Sequence, residues 1–394
     1  MTSPFPSGSA PLDAREILQR LVAFDTTSHL PNRNLLDYVT DLLDAHGAAW
    51  EVLPNADGSK ANLYATVGGD RAGGIVLSGH TDVVPVEGQP WTSDPFVLTE
   101  RNGRLYGRGT SDMKGFIACA LAQLPVLAGA RLTRPVHFAL SYDEEVGCLG
   151  VRPMIEHISQ HLPQPALVIV GEPTDMAVVD AHKAIRSYRV DVTGLEYHSS
   201  QTHLGVNAIV HAAELVGFLA GIAEEMRGRG DATGRFQPPF TTLSVGRIEG
   251  GTATNIVPRH CWFTFEHRTL PGQDEDEIRA RLQAHVEDEV LPRMRKVHPD
   301  ADIAIRTLAA APGLRAGALV SPLQTAVMML AGTNDLAAVS YATEAGLFQD
   351  AGLPTLVCGP GSIQQAHKPD EWIEIAQLDA CEAFLGRLIA HISA

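Results

Sequence analysis

Short, unbroken runs of apolar residues recur along the chain and end at turn residues. Runs of this length are typical of strands that are buried on both faces, as in an open sheet covered by helices. Apolar residues at helical spacing also predict amphipathic helices at Asp13–Phe24 and Asn34–His46. The predicted strands are Gly74–Ser78, Val136–Leu140, Ala166–Val170 and Thr355–Val357.

Polar residues with metal-ligand chemistry follow each of these predicted strands. In open α/β sheets the carboxyl ends of the strands form the edge at which ligands bind, so residues remote in sequence can converge there. We therefore expect an α/β fold with an open mixed, largely parallel sheet and helices on both faces. The residues in question are His80 and Asp82 after the first strand, Glu144 and Glu145 after the second, Glu172 after the third and His367 after the fourth.

A different pattern begins after Lys183. Its elements follow the strand-helix-strand-strand-helix-strand order of a ferredoxin-like α+β module. We therefore predict an inserted domain at 184–312 and a catalytic, metal-binding domain at 1–183 and 313–394, which resumes with a helix at Ser321–Leu330. The predicted elements of the insert are Ser187–Val192, Gly205–Ala220, two strands within Thr241–Thr269, the charged helix Asp274–Val297 and Ala301–Leu308.

The composition narrows the classes of function. The length of 394 residues suits two domains, and the 45% apolar and 19% charged fractions are those of a folded globular protein. The formal charge of −16 disfavours nucleic acid and anionic membranes as partners, because both need a basic face. The composition of the start, Met1–Pro11, predicts a loose terminus rather than a signal peptide, and no apolar run approaches membrane-spanning length. The five cysteines are scattered, so we expect no disulfide framework and a cytoplasmic protein.

The ligand-type residues are more numerous than one metal ion needs, since a zinc ion takes about four ligands. One carboxylate can bridge two ions that share and activate a water molecule. Asp112 is the natural bridge, because flanking glycines permit a tight backbone there and a helix is expected from about Lys114. Considered without the other residues, Asp112 would be better explained as a helix N-cap.

The adjacent Glu144 and Glu145 must have different roles, because neighbours on an extended segment point in opposite directions. One can bind metal while the other acts as general base toward the attacking water. Asp82 is placed to accept a hydrogen bond from the second ring nitrogen of a metal-bound His80 and so to fix its tautomer. Without the other residues, Glu144 and Glu145 would read as an ordinary charged loop.

Five segments resemble the acetylornithine deacetylase, succinyl-diaminopimelate desuccinylase and glutamate carboxypeptidase family of dimetal hydrolases. They occur in the family's order and extend the resemblance over nearly the whole chain. Within the family, the chain is most similar to the acetylornithine deacetylases. The segments are Ser78–Pro85, Gly107–Gly115, Asp143–Gly147, Gly171–Thr174 and Gly359–Glu371.

The resemblance implies a complete set of site residues. It assigns one metal ion to His80, Asp112 and Glu172, the other to Asp112, Glu145 and His367, and the role of general base to Glu144. The ions would be zinc, with cobalt as the alternative, and a cis peptide would follow Asp112. The inserted domain would form a homodimer and bring His198 to the neighbouring active site. The substrate carboxylate would be bound by Asn255, Arg268 and the backbone of Gly361 and Ser362.

The reaction that this resemblance implies is the hydrolysis of an N-acyl amino acid, here N-acetyl-L-ornithine to L-ornithine and acetate, a step of arginine biosynthesis. A desuccinylase or a glutamate-type carboxypeptidase would use the same metals. A non-catalytic amino-acid-binding or assembly protein is an alternative that the intact Glu144 argues against. Two further features have no assigned role: Glu196–Tyr197 stands where relatives have small residues, and Glu344 would suit a cationic substrate.

Overall fold

The computed structural model describes residues 11–318 and 321–394, so residues 1–10 of the expected loose terminus lie outside the described part. The chain forms two compact units. The first runs to Ala181 and takes up the chain again at Arg315–Ala338 and Thr343–Ala394. The second comprises His182–Leu314 and Val339–Ala342.

The first unit is built on an eight-stranded mixed sheet. Its centre is parallel, because Ile75–His80 runs parallel to both Val136–Ser141 and Leu167–Val170, and Thr355–Val357 runs parallel to Leu167–Val170. This confirms the predicted sheet and all four strands. Across the sheet the order is Ala49–Pro54, Ala61–Val67, Val136–Ser141, Ile75–His80, Leu167–Val170, Thr355–Val357, Val179–His182 and Ala337–Val339.

Helices cover this sheet and form a core with it. Lys114–Ala122 has every residue buried, because Ala14–Val22 and Ile375–His391 pack against it. Both predicted N-terminal helices are confirmed. In the first of them, Ile17, Leu18 and Leu21 are buried. The remaining helices of this unit are Arg33–Ala45, Leu124–Gly129, Val151–His161, Leu323–Ala331 and Ala345–Asp350.

A small antiparallel sheet joins two loops of the first unit. Its central strand Arg104–Tyr106 pairs with Thr99–Arg101 on one side and with Trp372–Glu374 on the other. Tyr106 lies opposite Trp372, so the chain segments on either side of these residues are brought together.

The second unit has the predicted ferredoxin-like order. Four antiparallel strands lie in the order Thr242–Gly250, His260–Thr269, Ala184–Thr193 and Asp302–Ala311, and the buried Phe263 forms part of the core beneath them. A two-stranded pair, Tyr197–His198 with Ile256–Val257, and a 3-10 helix, Ser199–Leu204, lie beside them. The helices of the unit are Ala208–Arg227, Glu277–His285 and Leu291–Arg295.

Two predicted helices of this unit differ from the observed ones. The charged helix expected at Asp274–Val297 is interrupted by a π-helical turn at Val286–Val290, because Pro292 lacks the N–H that a regular helix requires there. The helix expected from Gly205 begins at Ala208, where the Asn207 side chain accepts a hydrogen bond from the Val210 N–H at 3.1 Å.

Within the described ranges, no helix is both long and apolar enough to cross a membrane. All five cysteines are buried and free, as the sequence predicts. The expected cis peptide is also present, between Asp112 and Met113.

Candidate active site

Neighbouring strands of the large sheet bring the ligand-type residues to one edge. His80 is the last residue of its strand, Glu144 and Glu145 follow the strand that ends at Ser141, and Glu172 follows the strand that ends at Val170. Because these three strands are adjacent and parallel, their polar ends meet.

Asp112 connects two groups of possible metal ligands. One comprises His80, Asp112 and Glu172, and the other comprises Asp112, Glu145 and His367; in each group the ligand atoms lie within 4.8 Å of one another. Asp112 Oδ1 lies 3.1 Å from His80 Nε2, while Asp112 Oδ2 lies 3.3 Å from His367 Nε2. The two carboxylate oxygens thus face different histidines, as a bridging ligand requires.

The local helix start agrees with this role. Met113, and not Asp112, occupies the N-cap position of Lys114–Ala122. The interpretation of Asp112 as an N-cap is therefore wrong, and its carboxylate remains directed at the two histidines.

The electrostatics of the site favour bound cations. Burial raises the pKa of Glu172 well above its usual range and that of Glu145 above its usual range. The nearby Asp112 carboxylate adds to both rises. Burial opposes the charged form of Asp112, but the hydrogen bonds from His367 and His80 hold its pKa below the usual range. Contacts with Asp112 and Glu145 raise the pKa of His367 to about 11. Clustered carboxylates of this kind are stabilised by positive charge, so the donor set fits two divalent ions with nitrogen and oxygen ligands.

The structure distinguishes the two adjacent glutamates. Glu145 Oε2 lies 3.0 Å from His367 Nε2, whereas Glu144 belongs to neither ligand group. Glu144 Oε1 instead accepts a hydrogen bond from Cys148 Sγ at 3.2 Å. Burial raises the pKa of Glu144 to about 8, with Glu145 and Asp112 contributing. A carboxylate of this kind is suited to exchange protons with a substrate.

Asp82 has a different role from the one predicted. The Nδ1 of His80 contacts the main-chain carbonyl oxygen of Asp82 at 2.9 Å, while the Asp82 carboxylate is 3.7 Å from that nitrogen. The carboxylate is occupied elsewhere, because it accepts hydrogen bonds from Ser28 Oγ at 2.7 Å and from the N–H groups of Glu144 and Glu145 at 3.1 and 3.3 Å. Asp82 therefore orders the glutamate loop, and its carbonyl orients the imidazole.

Glu344 is not available to a substrate. Its side chain is completely buried, and its two oxygens accept hydrogen bonds from Ser78 Oγ at 2.6 Å and Ser141 Oγ at 2.8 Å. It joins two strands just before the residues that bear the site. The expectation that Glu344 contacts a cationic substrate is thus not supported.

Sequence reasoning gave no role to Glu371 or to Lys60. Glu371 is buried beside the Asp112 loop, and Lys60 Nζ lies 2.6 Å from Asp143 Oδ1, next to Glu144. Glu371 is the last residue of the Gly359–Glu371 segment, but a sequence does not reveal which main-chain groups a carboxylate contacts.

The substrate residues expected from the resemblance lie in both units. In the first, the carbonyl oxygen of Gly361 accepts a hydrogen bond from the Asp175 N–H, and that of Ser362 accepts one from Ser111 Oγ. In the second, Asn255 is exposed, and Arg268 Nε donates to Glu266 Oε1 at 3.2 Å.

His198 is exposed in the second unit, where its Nδ1 lies 2.7 Å from Ser200 Oγ and accepts a hydrogen bond from the Ser200 N–H. It therefore caps the 3-10 turn that follows it. The neighbouring Tyr197 pairs with Val257, and its side chain is exposed.

Comparison with known proteins places this geometry in a family. The sequence pattern of peptidase family M20/M25/M40 matches residues 76–391. The chain belongs to this family. It is accordingly a metal-dependent amide hydrolase.

Relatives in family M20/M25/M40 include two bacterial proteins named acetylornithine deacetylase. The protein from Myxococcus xanthus is 37% identical over 96% of this chain and 97% of its own length. That from Pasteurella multocida is 36% identical over 91% of each chain. The chain is thus similar to these proteins along almost its entire length.

Solved structures of the family share the fold at lower sequence identity. The metallo-carboxypeptidase Sso-CP2 from Sulfolobus solfataricus is 19% identical with a TM-score of 0.75, covering 96% of this chain and 99% of that chain. The YXEP protein of Bacillus subtilis, described as a dinuclear metal binding peptidase, is 13% identical with a TM-score of 0.66, covering 96% and 97%.

Proposed function

We propose that this protein is a dinuclear metal-dependent deacetylase that hydrolyses N-acetyl-L-ornithine to L-ornithine and acetate. One observation carries the proposal: Asp112 offers its two oxygens to two separate ligand groups, while Glu144 lies outside both. Four relatives that are 33 to 37% identical to this chain are named acetylornithine deacetylase, which supports N-acetyl-L-ornithine as the substrate.

In this proposal His80, Asp112 and Glu172 hold one ion, and Asp112, Glu145 and His367 hold the other. Two bound divalent ions, zinc or alternatively cobalt, would polarise the scissile carbonyl and acidify the attacking water. In this arrangement His80 Nδ1–H donates a hydrogen bond to the main-chain carbonyl of Asp82, and the unprotonated Nε2 would bind the metal.

Glu144 is the proposed proton carrier of the reaction. It accepts a proton from the water that attacks the acyl carbon, and it returns that proton to the nitrogen as the carbon–nitrogen bond breaks. The hydrogen bond from its own N–H to Asp82 holds the glutamate in place, and Cys148 restrains the carboxylate. The products are a carboxylic acid and a free amine.

Substrate recognition is proposed to involve the α-carboxylate. Arg268 offers the planar donor pair that binds a carboxylate bidentately, and Asn255 with the main chain of Gly361 and Ser362 completes the set that the resemblance implies. The net charge of −16 is compatible with a substrate that carries an amino group. We propose a cytoplasmic location, where the five free cysteines would stay reduced.

A panel of substrates tests the function. Initial rates on N-acetyl-L-ornithine, N-succinyl-diaminopimelate and acyl-glutamates should be compared at equal concentration, with metal-free protein and with added Zn²⁺ or Co²⁺. We expect metal-dependent turnover that is fastest on N-acetyl-L-ornithine. Faster hydrolysis of either other substrate would reassign the specificity, and a lack of turnover with two ions bound would favour a binding or assembly protein.

We further propose that the second unit forms a homodimer and that His198 acts on the active site of the other subunit. Thr242–Gly250 lies at the edge of its sheet, with Ile248 53% exposed, and an edge strand is a template for pairing with another chain. The expected role of His198 is to donate a hydrogen bond to the oxygen of the attacked carbonyl.

A complementation experiment tests the shared site. Heterodimers of a Glu144→Ala chain with a His198→Ala chain contain one site with both groups intact if His198 acts in trans. Their activity should then exceed that of both parent homodimers. If His198 acts within its own chain, every site in the heterodimer lacks one group and no activity returns. Metal content and dimer formation of each variant serve as controls.

A further inference from the structure

Glu371 is a buried carboxylate whose hydrogen bonds all converge on the loop that carries Asp112. Its side chain is 1% exposed. Glu371 Oε1 accepts from the N–H groups of Ser111 at 2.8 Å and Asp112 at 3.1 Å. Glu371 Oε2 accepts from the N–H of Gly109 at 3.0 Å and from Arg108 Nη1 at 2.8 Å. Four donors thus surround one carboxylate.

Strand pairing places the carboxylate there. Glu371 directly precedes the strand Trp372–Glu374, and its partner Arg104–Tyr106 directly precedes the Asp112 loop. The main chain continues the pairing beyond the strand, since the Gly107 N–H donates to the Glu371 carbonyl at 3.0 Å. Side chain and main chain of one residue therefore both anchor the loop.

The same network reaches the loop that carries His367. Arg108 Nη2 donates to Gln89 Oε1 at 2.5 Å, and Gln89 Nε2 donates to the main-chain carbonyl of His367 at 3.1 Å. Arg108 is itself 1% exposed and lies over the ring of Trp91 at 5.0 Å. The two residues proposed to complete the second metal site, Asp112 and His367, are thus connected through three side chains, none of which belongs to a ligand group.

We propose that Glu371 is a positioning residue for the dinuclear site: it fixes the main chain of the bridging Asp112 and, through Arg108 and Gln89, keeps the His367 loop in register with it. This rests on the function proposed above. His80 is the last residue of a paired strand of the large sheet and Glu172 lies two residues beyond the end of another, whereas Asp112 and His367 lie on loops. Loops need side-chain acceptors to fix main-chain N–H groups that a sheet would otherwise satisfy.

The chemistry of the acceptor makes the idea specific. An ionised carboxylate only accepts hydrogen bonds, with room for about four, and here four donors face it. Glutamine has nearly the same shape, but its amide NH₂ would place donors against donors on one side and would leave the buried Arg108 without a charged partner. Glu371→Gln therefore perturbs the loop without creating a cavity.

Metal affinity of the whole protein is the direct test. Metal-free wild type, Glu371→Gln and Gln89→Leu would be titrated with Zn²⁺ in competition with a chromogenic chelator. We expect Glu371→Gln to weaken binding about 10- to 100-fold, the usual effect of losing a residue that orients metal ligands. Gln89→Leu leaves the Arg108–Glu371 pair in place, so it should fold normally, and we expect it to weaken only one of the two ions.

Glu374→Gln provides a matched control three residues away. Its ion pair with Arg104 spans 3.5 Å, and both side chains are at least 40% exposed. It removes the same charge from the same strand region without touching the Asp112 loop. We expect it to bind both ions with wild-type affinity.

A second measurement separates positioning from a general loss of structure. If Glu371 acts through the metal ligands, raising the free Co²⁺ concentration should increase the activity of Glu371→Gln about tenfold or more. Its KM should differ little from that of wild type. A variant that is damaged generally would not be rescued by metal.

The outcomes are distinct. Wild-type affinity in folded Glu371→Gln protein, or equal weakening in the Glu374→Gln control, would overturn the positioning role and leave the proposed function standing. If Glu371→Gln does not fold, the Zn²⁺ affinity of Gln89→Leu decides: weaker binding of one ion supports the positioning network, and wild-type affinity overturns it. Wild-type protein that binds fewer than two ions would refute the dinuclear function, and the role of Glu371 with it.

Discussion

Replacing Glu144 by glutamine should separate proton transfer from metal binding. The glutamate belongs to neither ligand group, its N–H donates to Asp82, and its Oε1 accepts from Cys148. Glutamine preserves the main-chain contact and offers an oxygen to the Cys148 thiol. The substitution therefore removes the proton acceptor and little else.

The size of the effect follows from this placement. A positioned general acid–base group contributes typically about 100- to 10,000-fold to a rate. This corresponds to about 3 to 5 kcal/mol in the activation free energy. We expect the upper part of this range for Glu144→Gln, because glutamine can neither accept the proton of the attacking water nor return it to the leaving nitrogen.

The assay combines rate and metal content. Release of the free amine from N-acetyl-L-ornithine gives kcat and KM, and atomic emission gives bound metal per chain. Glu145→Gln is the matched control, because Glu145 Oε2 lies 3.0 Å from His367 Nε2 and belongs to a ligand group. We expect Glu144→Gln to keep both ions and Glu145→Gln to lose one.

Two results would refute the reasoning. Loss of an ion from Glu144→Gln would show that Glu144 is a ligand. Full occupancy in Glu145→Gln, with a loss of rate as large as that expected for Glu144→Gln, would show that the two glutamates have been assigned the wrong way round.

Three further predictions concern the surroundings and the core. Ser28→Ala removes the donor to Asp82 Oδ2 and should lower kcat several-fold, by about 1 kcal/mol, with metal content unchanged; an unchanged kcat would contradict the role of Asp82. Phe263→Ala, in the core of the second unit, should reduce the free energy of unfolding by about 3 to 5 kcal/mol in a urea titration, and a loss below about 1 kcal/mol would contradict that packing. Burial lowers the pKa of His137 to about 4, and the unfolded chain takes up that proton near pH 6.5, so stability should fall as the pH drops from about 6.5 to about 4. His137→Asn should flatten this dependence, and urea midpoints that keep the wild-type slope would exclude the assignment.

The sequence predicts the large sheet well because its physical signal is strong. Strands buried on both faces must be apolar along their whole length, so the four runs could be recognised without any partner. Since parallel strands share one carboxyl edge, His80, Glu144 and Glu172 could be expected to converge. The periodicity of the second unit is equally clear, and its order of elements is confirmed.

Other features depend on contacts that a single sequence does not reveal. The break in the charged helix could have been found, because Pro292 is visible in the sequence. The partners of Glu344 could not, because Ser78 and Ser141 are 266 and 203 residues away along the chain. His80 Nδ1 likewise contacts the Asp82 carbonyl rather than the Asp82 carboxylate, because Ser28 and the glutamate loop donate hydrogen bonds to that carboxylate.

Asp82 and Glu371 show the same physical solution at two positions of the site. Neither residue belongs to a ligand group, yet each carboxylate accepts a hydrogen bond from the main-chain N–H of a ligand residue. Asp82 accepts from Glu145, and Glu371 accepts from Asp112. Strand pairing fixes His80 without such help, whereas the loops have no neighbouring strand to satisfy their donors. A dense cluster of negative charge can therefore be held in place by further carboxylates, provided that each of these is surrounded by donors, as Glu371 is by three N–H groups and Arg108.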